Sequence, residues 1–381
     1  MSNWIRTAAG SLILTLAALM MAVSGALAEE TVCYDLYISE AQSNNDTDWA
    51  LGFHDYIEIG NRGNQTVKLS DYFLSRHEDD PFACRLPAGK LAPGEFIVLV
   101  CDVDLRDLRL PKEGCELYLH HRDGTLCDGV ELPAMEYNVW QAEHGLTMQP
   151  SPGYANTAEG AAAYRASLDQ KLIISEVVSS NSRLLPVDGE YYDLIEVQNV
   201  STETIRLSDY YLSDRKSKPS LWRMPEVELA PGECYVVHAS GEELEGTAPF
   251  KVSAKGEALY LSDLDGECVE ALYVPALTPN TSFGRFGDEL RYYDQPSMGE
   301  PNPDGYTGIT LTPQASQNSG PLLEAASVFL SGEGDIYYSL DGSTPDERSL
   351  RYDGTPIRIT DNTVLRVRGL AEDKLWSPVR T

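Results

Sequence analysis

Two glutamates occupy equivalent positions in two similar stretches of this sequence and are the first candidates for chemistry. Glu58 follows Asp55 by three residues, and Glu196 follows Asp193 at the same distance. Paired carboxylates can share acid–base work when they face each other across a cleft. Here each stretch has its own copy, so these two are not expected to meet. We interpret Glu58 and Glu196 as strand-face carboxylates that anchor a turn or a polar group of a neighbouring strand.

Histidine and cysteine spacing does not support a metal site or a nucleophile. His120 and His121 are adjacent on a predicted strand, where successive side chains point to opposite faces and cannot bind one ion. No cysteine pair has CxxC spacing, and no G-x-S-x-G, G-x-G-x-x-G or Walker sequence is present. The sequence therefore predicts no catalytic residue, no cofactor and no metal ligand. It predicts a protein that is not an enzyme.

Acidic loops and paired tyrosines are the remaining candidates for binding. Residues 44–48 and 263–267 cluster oxygen atoms in turns, but neither loop has the glutamate spacing of a calcium loop. We interpret both loops as solvated turns. Four tyrosine pairs each place one ring inward and one outward, which suits core packing and leaves sugar stacking as a secondary hypothesis. These pairs are Tyr191-Tyr192, Tyr210-Tyr211, Tyr292-Tyr293 and Tyr337-Tyr338.

The composition restricts the partners. The chain has 381 residues, with 29 Lys+Arg against 59 Asp+Glu and a formal net charge of −30. Phosphates would be repelled without a compensating basic patch, and cationic residues are scattered, most densely at 215–218. We therefore expect neither nucleic acid nor an anionic membrane as a partner. The length predicts two to three domains, each with its own core.

The first 28 residues predict an export signal. Arg6 gives a positive start, residues 12–23 are apolar, and Ala26-Leu27-Ala28 forms a small-x-small cleavage site. The alternative is an uncleaved anchor, because residues 7–28 carry no charge. With the signal removed, we expect a secreted or cell-surface protein that is not inserted in the membrane. Seven cysteines in such a chain suggest disulfides, and the odd count leaves at least one thiol unpaired.

An internal repeat organises the chain. Asp-x-Ile-Glu at 55–58 recurs at 193–196, and Leu-Ser-Asp-Tyr at 69–72 recurs at 207–210. Leu-Ala-Pro-Gly-Glu occurs at both 91–95 and 229–233, and one offset relates all three pairs. A constant offset over separate motifs indicates a duplicated domain.

The repeat unit has the patterns of β-strands. Ile57 and Ile59 alternate with polar neighbours, which predicts a half-buried strand. The apolar run at 96–100 predicts a strand that is covered on both faces. Asp-Gly pairs at 123–124 and 265–266 predict tight hairpin turns.

The order of these motifs, begun by Ile-Ser-Glu at 38–40 and closed by Pro-Gly-Tyr-Ala-Asn at 152–156, resembles the lamin tail domain. The resemblance implies an immunoglobulin-like β-sandwich of a type common in exported bacterial proteins. The second copy departs from the pattern at its end, because Ser297-Met298-Gly299-Glu300-Pro301-Asn302 shifts the proline.

A different module is expected at the end of the chain. Tyr-x-Leu-Asp-Gly-Ser-x-Pro at 338–345 resembles the C-terminal domain of chitobiase and β-hexosaminidase, a small accessory sandwich. That resemblance implies one more strand after Ser377-Pro378-Val379, so this copy is expected to lack its last strand. Two lamin-tail-like copies followed by this module also resemble the N-terminal part of bacterial CotH-type kinase family proteins.

Together these patterns predict an all-β protein with three tandem immunoglobulin-like β-sandwich domains after a signal peptide. The predicted boundaries are 1–28 for the signal, 29–156 and 171–302 for the lamin-tail-like sandwiches, 157–170 for a linker with helical character, and 303–381 for the final module. We expect a non-enzymatic exported bacterial protein, an interaction, adhesion or spacer array that binds extracellular protein or carbohydrate. The alternative is the N-terminal accessory region of a larger secreted or surface enzyme, either CotH-type kinase-like or a glycoside hydrolase.

Overall fold

The protein is described by a computed structural model that covers residues 35–321 and 324–381. The predicted signal peptide, residues 1–28, and Cys33 lie outside these residues. The described part is all-β with a single short α-helix, as the sequence predicts. It divides into two compact units, one that ends at Leu168 and one from Asp169 to Thr381. Among the described residues, no helix combines the length and the apolar character that crossing a membrane requires.

The first unit is a sandwich of antiparallel sheets. Its strands are β1 (Leu36–Gln42), β2 (Tyr56–Asn61), β3 (Val67–Lys68), β4 (Tyr72–Ser75), β5 (Cys84–Arg85), β6 (Lys90–Leu91), β7 (Phe96–Val100), β8 (Cys115–His121), β9 (Leu126–Leu132), β10 (Val139–Gln141) and β11 (Gly145–Thr147). One sheet has the order β11-β10-β1-β2-β7, the other has the order β5-β4-β8-β9, and β3 pairs with β6. We call this unit's sandwich the first sandwich.

The burial of two strands differs from the sequence pattern. Strand β2 alternates as a half-buried strand would, yet each of its residues is buried. Ile57 and Ile59 face the core, and Glu58 faces a part of the chain that covers the outer side of the sheet. Strand β7 reads as covered on both faces, but only Leu99 in it is fully buried. That prediction was wrong because β7 is an edge strand, whose apolar run only partly meets the core.

The first unit also has an α-helix and two 3-10 helices, one of them at Trp49–Leu51. The α-helix, α1 (Ala158–Ser167), begins where the Thr157 side chain accepts a hydrogen bond from Gly160 N at 3.1 Å. Tyr164 of this helix donates its hydroxyl to the Asp48 carboxylate at 2.7 Å, which fixes the helix on the sandwich. A 3-10 helix at Leu69–Asp71 carries the Leu-Ser-Asp motif, and the same motif forms a 3-10 helix at Leu207–Asp209 of the second unit.

The second unit begins with a second sandwich of the same topology. Its strands are β12 (Leu172–Val178), β13 (Asp193–Asn199), β14 (Ile205–Arg206), β15 (Tyr211–Ser213), β16 (Trp222–Arg223), β17 (Glu228–Leu229), β18 (Cys234–Ala239), β19 (Gly256–Ser262), β20 (Cys268–Pro275), β21 (Ser282–Phe286) and β22 (Glu289–Tyr293). The sheets have the orders β18-β13-β12-β21-β22 and β16-β15-β19-β20. Both Asp-Gly pairs lie in the predicted hairpin turns, with Gly124 and Gly266 at positive φ.

The same unit ends in a small module with its own core. Its strands are β23 (Gly308–Ile309), β24 (Gln314–Ala315), β25 (Ala326–Val328), β26 (Leu330–Ser331), β27 (Asp335–Ser339), β28 (Leu350–Arg351), β29 (Ile357–Ile359), β30 (Arg366–Leu370) and β31 (Lys374–Leu375). The largest sheet has the order β28-β27-β30. Ile336 and Val367 belong to the core of the module, and Ile309 packs on the core of the second sandwich. We call residues 303–381 the C-terminal module.

Candidate functional site

Glu58 lies beside a second glutamate that the sequence analysis did not pair with it. Strands β1 and β2 are antiparallel, and Glu40 is directly opposite Glu58 in their register. Both side chains are completely buried on the outer side of the five-stranded sheet. We call Glu40 and Glu58 the first carboxylate pair.

A β-bulge creates this pair. Ile38 pairs with Ile59 and Glu40 pairs with Glu58, so Ser39 is an extra residue between the two registers. In a regular strand Ser39 and Glu40 would point to opposite faces. The bulge turns both toward the outer side, where the Ser39 hydroxyl donates to Glu58 Oε1.

The donors to the first carboxylate pair come largely from residues 150–156, which we call the first closing segment. Ser151 donates its backbone N–H to Glu40 at 3.1 Å and its hydroxyl at 2.8 Å, and Gly153 N donates to Glu58 Oε2 at 2.6 Å. Tyr56 donates its hydroxyl to Glu40, and Gln141 Nε2 donates at 2.7 Å. The two carboxylates therefore hold the end of the sandwich against its first strands.

The pair is built to hold a proton. Burial is the main cause that raises the pKa of Glu58 to about 8, and the charge of Glu40 adds to the rise. Burial also raises the pKa of Glu40, against hydrogen bonds that lower it. The single hydroxyl hydrogen of Ser151 faces two acceptors, Glu40 Oε2 at 2.8 Å and Asn156 Oδ1 at 3.0 Å. The Ser151 hydroxyl can donate to only one of them at a time, so one of the two contacts is unmet while the carboxylates are charged.

The second sandwich contains the same arrangement. Glu176 lies opposite Glu196 across β12 and β13, again next to a bulge, and these two form the second carboxylate pair. Ser175 donates its hydroxyl to Glu196 at 2.6 Å. Residues 296–302, the second closing segment, supply Gly299 N to Glu196 at 2.5 Å and Ser297 N to Glu176 at 3.1 Å. The shifted proline of this copy leaves these bonds in place.

These contacts agree with the interpretation of Glu58 and Glu196 as anchors of a turn. In each pair the oxygen atoms accept hydrogen bonds from the chain itself, and all four carboxylates are completely buried. Asp55 and Asp193 are anchors as well, since they accept backbone N–H groups from Asn45 at 3.1 Å and Ser180 at 2.8 Å.

The acidic loops use their oxygen atoms internally. Asn45 Oδ1 accepts from Asp48 N at 2.8 Å, and Asp48 accepts from Tyr164. Asp263 Oδ1 accepts from the backbone N–H groups of Asp265 at 3.0 Å and Glu267 at 2.9 Å. Within residues 35–321 and 324–381, no group of three or more His, Cys, Asp or Glu side chains is arranged to hold a metal ion.

The histidines and cysteines named in the sequence analysis differ in burial, pKa and bonding state. His120 is buried and burial lowers its pKa, whereas His121 Nδ1 lies 3.1 Å from the Asp123 carboxylate. Cys127 is disulfide-bonded. Burial raises the pKa of Cys101 to about 12, which makes this thiol a poor nucleophile. Among the described residues, five cysteines are free thiols, namely Cys84, Cys101, Cys115, Cys234 and Cys268.

A third candidate is an outward face of the C-terminal module, which we call the aromatic–arginine face. Tyr338 packs on the core, so Tyr337 points outward, and its ring centroid lies 5.3 Å from that of Trp376. The Arg368 guanidinium lies over the Trp376 ring at 4.9 Å. These three side chains are half-buried. One outward ring was predicted for the Tyr337-Tyr338 pair, and in the structure it is Tyr337. Neither Trp376 nor Arg368 was predicted beside it.

The comparisons with known proteins bear on this module. Residues 317–381 match the family model of the chitobiase/β-hexosaminidase C-terminal domain. No curated protein and no solved structure matches the chain. The aromatic–arginine face therefore lies in the segment that resembles a carbohydrate-associated module.

Two of the other tyrosine pairs have a ring that packs against a neighbouring ring. Tyr192 packs edge-on against His238 at 6.5 Å, and Tyr292 packs against Phe283 at 4.9 Å. Tyr293 is buried.

A cavity of about 380 Å³ opens beside the core of the C-terminal module, and its apolar lining includes Val328, Ile359, Leu365 and Val367.

Proposed function

We propose that the protein is a non-enzymatic, exported interaction protein in which β-sandwich domains form an adhesion or spacer array at a bacterial cell surface. The C-terminal module would contact carbohydrate, and the sandwiches would contact protein or glycan. The observation that carries this proposal is the outward pair Tyr337 and Trp376, inside the segment that matches a carbohydrate-associated family. Partly exposed aromatic rings offer the flat apolar surface on which sugar rings stack.

The state of the carboxylates supports a role without catalysis. An acid–base pair must reach its substrate. Both carboxylate pairs are instead buried and engaged with their closing segments. They support the proposal that the first two domains are lamin-tail-like scaffolds, because their duplicated motifs build duplicated anchors. Export by residues 1–28 remains part of the proposal.

Binding to a panel of glycans and surface proteins tests the function. The chain from residue 29 to 381 should give saturable binding to at least one member of the panel. Tyr337→Ala and Trp376→Ala should weaken binding to a glycan, whereas Tyr191→Ala, an exposed ring in the second sandwich, should leave it unchanged. Melting curves would establish that each variant is folded. Flat responses across the whole panel would overturn the proposal.

The alternative function is the accessory region of a larger secreted or surface enzyme, CotH-type kinase-like or a glycoside hydrolase. It is favoured by the family match, since that family takes its name from a domain of two carbohydrate-active enzymes. Reading the gene beyond the codon for Thr381 separates the two functions. A catalytic domain in the same frame would support the alternative, and a stop codon would contradict it.

A further inference from the structure

Three arginines of the C-terminal module meet on one side of its largest sheet. Val367 faces the core, so Arg366 and Arg368 point outward from β30. Arg368 lies opposite Tyr337 in the register of β30 and β27, and Arg351 of β28 lies opposite Tyr337 on the other side. Arg366 and Arg368 are two residues apart, but Arg351 comes from another strand, so the sequence alone does not bring the three together.

Arg368 is held in place and keeps its outer edge open. Its guanidinium lies over the Trp376 ring, and its Nε donates to Ser377 O at 2.9 Å. Ser377 is buried and accepts from Gly369 N at 2.9 Å, so the acceptor is itself fixed on β30. Among the residues that the structure describes, no carboxylate forms an ion pair with Arg368. Its Nη1 and Nη2 groups are therefore a preorganised pair of donors.

The rest of the face is also short of negative charge. Arg366 Nη1 donates to Gly342 O at 3.1 Å, while its Nε is buried without a hydrogen-bond partner. Asp335 is the one acidic side chain at the outward positions of β27, β28 and β30, and it pairs with Arg351. A cationic face is unexpected in a chain with a formal net charge of −30. Charge complementarity therefore points to an anionic ligand.

We propose that the aromatic–arginine face binds an acidic polysaccharide, with a sugar carboxylate on the Nη1–Nη2 edge of Arg368 and the sugar ring against Tyr337. A guanidinium edge matches the two oxygen atoms of a carboxylate in a bidentate pair. The neighbouring aromatic rings match the apolar side of a sugar ring. This inference rests on the proposed glycan-binding function and specifies its ligand class and residues.

Polygalacturonate oligomers, as the carboxylated probe, test this inference on the chain from residue 29 to 381. Binding would be measured by calorimetry beside a neutral chito-oligosaccharide, a sulfated glycan and a DNA duplex. We expect saturable binding to the carboxylated probe that weakens as salt is added. Arg368→Gln should lower that affinity at least about tenfold, and Arg368→Lys should restore part of it. Arg358→Gln removes the same charge from an exposed position of β29 and should change it less than about twofold.

Asp335→Asn tests the same face at an exposed position, where the substitution should not disturb the core of the module. Both partners of the Asp335–Arg351 pair are largely exposed, with 43% and 64% of their side chains accessible. Releasing Arg351 should strengthen binding of the carboxylated probe by about two- to fivefold. Melting temperatures of all variants would show that the module is folded.

The possible outcomes separate this inference from the proposed function. Binding of the neutral oligosaccharide alone, unchanged by Arg368→Gln, would overturn the inference and leave the glycan-binding function intact. Preference for the sulfated glycan or for DNA would overturn the choice of a carboxylated ligand. Failure to bind any of the glycans would count against both.

Discussion

The two carboxylate pairs have the same geometry but obtain their donors differently. Glu40 accepts from four groups, namely the Tyr56 hydroxyl, Gln141 Nε2 and the backbone and hydroxyl of Ser151. Glu176 accepts from three groups, which are the Ser282 hydroxyl at 2.5 Å and the backbone and hydroxyl of Ser297.

The positions behind this difference are related by strand register. Gln141 lies opposite Glu40, whereas the residue opposite Glu176 is Gly284. Leu194, which cannot donate, takes the place of Tyr56 in the pairing of β12 with β13. In both copies the buried carboxylate accepts hydrogen bonds, although different residues donate them. A buried carboxylate without donors would lower the stability of either sandwich.

Removing the first glutamate of each pair should have the largest effect on the stability of the two sandwiches. Glu40→Ala removes the shared acceptor of four donor groups and should cost the first sandwich about 4 kcal/mol of unfolding free energy, although the Ser151 hydroxyl keeps Asn156 Oδ1 and Gln141 Nε2 keeps Gln149 O. Glu176→Ala removes the shared acceptor of three donor groups, of which the Ser297 hydroxyl keeps Asn302 Oδ1, and should cost the second sandwich about 3 kcal/mol. Calorimetry on the whole mature chain would record both unfolding transitions. Equal displacement of both transitions by either variant would contradict independent anchors.

The next largest effect is on pH dependence. The pKa of Glu58 is about 8 in the folded protein and 4.5 ordinarily, so the folded state binds more protons between these values. The stability from this proton is fully present below pH 4.5 and is lost as the pH rises through about 8. We expect the unfolding free energy of the first sandwich to fall by roughly 1 kcal/mol per pH unit between about pH 5 and 8.

Glu58→Gln should flatten this profile, because an amide does not titrate in the range. Denaturant unfolding at a series of pH values measures the slope. Glu196→Gln is the matched control in the other unit and should leave the slope of the first sandwich unchanged. An undiminished slope in Glu58→Gln would assign the proton to another group.

The residues opposite the first glutamate of each pair, Gln141 and Gly284, give the next comparison. The second sandwich has no room for a side chain at Gly284. A Cβ at this position would lie 2.4 Å from Ser175 O and 3.0 Å from Asn302 Nδ2. Gly284→Ala should therefore destabilise the second sandwich by about 2 kcal/mol. Gln141→Ala at the matching position should cost about 1.5 kcal/mol, because its Nε2 no longer donates to Glu40 Oε2 and Gln149 O. Chemical denaturation measures both losses. An unchanged unfolding free energy in Gly284→Ala would contradict the close contacts with Ser175 O and Asn302 Nδ2.

The smallest effect concerns a hydroxyl donor that comes from a different residue in each copy, Tyr56 in the first and Ser282 in the second. Tyr56→Phe removes one hydroxyl from Glu40, which keeps its other donors, so about 1 kcal/mol should be lost. Ser282→Ala removes the corresponding donor from Glu176 and should cost about the same. Chemical denaturation of both variants measures the two losses. A much larger loss for Tyr56→Phe would mean that the other donors do not compensate for the missing hydroxyl at Glu40.

The strand pattern and the duplication could be predicted because they depend on local periodicity and on repeated motifs. The position of Glu40 could not, although Ile-Ser-Glu was recognised in both copies. A regular alternation assigns Ser39 and Glu40 to opposite faces, and only the bulge places them on one. An extra polar residue between apolar positions, as in Ile38-Ser39-Glu40-Ala41, is the signal that could have indicated it.

The aromatic–arginine face shows a different limit. One ring of the Tyr337-Tyr338 pair was expected to point outward, because neighbouring side chains on a strand face opposite sides of the sheet. Trp376 and Arg368 reach it from other parts of the chain, and the pairing of β27 with β30 brings Arg368 beside Tyr337. The register of distant strands is set by tertiary structure, so composition alone suggested that cationic residues were scattered.

The closing segments also determine the order in which each sandwich can form. Ser151 and Glu40 are 111 residues apart, and Ser297 and Glu176 are 121 apart. Bringing such distant residues together costs chain entropy before any bond compensates for it, whereas the hairpin of β8 and β9 closes locally. We expect mutations in the hairpin to slow folding and mutations at Gly153 mainly to speed unfolding, which stopped-flow kinetics would show. Each copy would then be sealed only by its final residues, after the rest of its sheet has assembled.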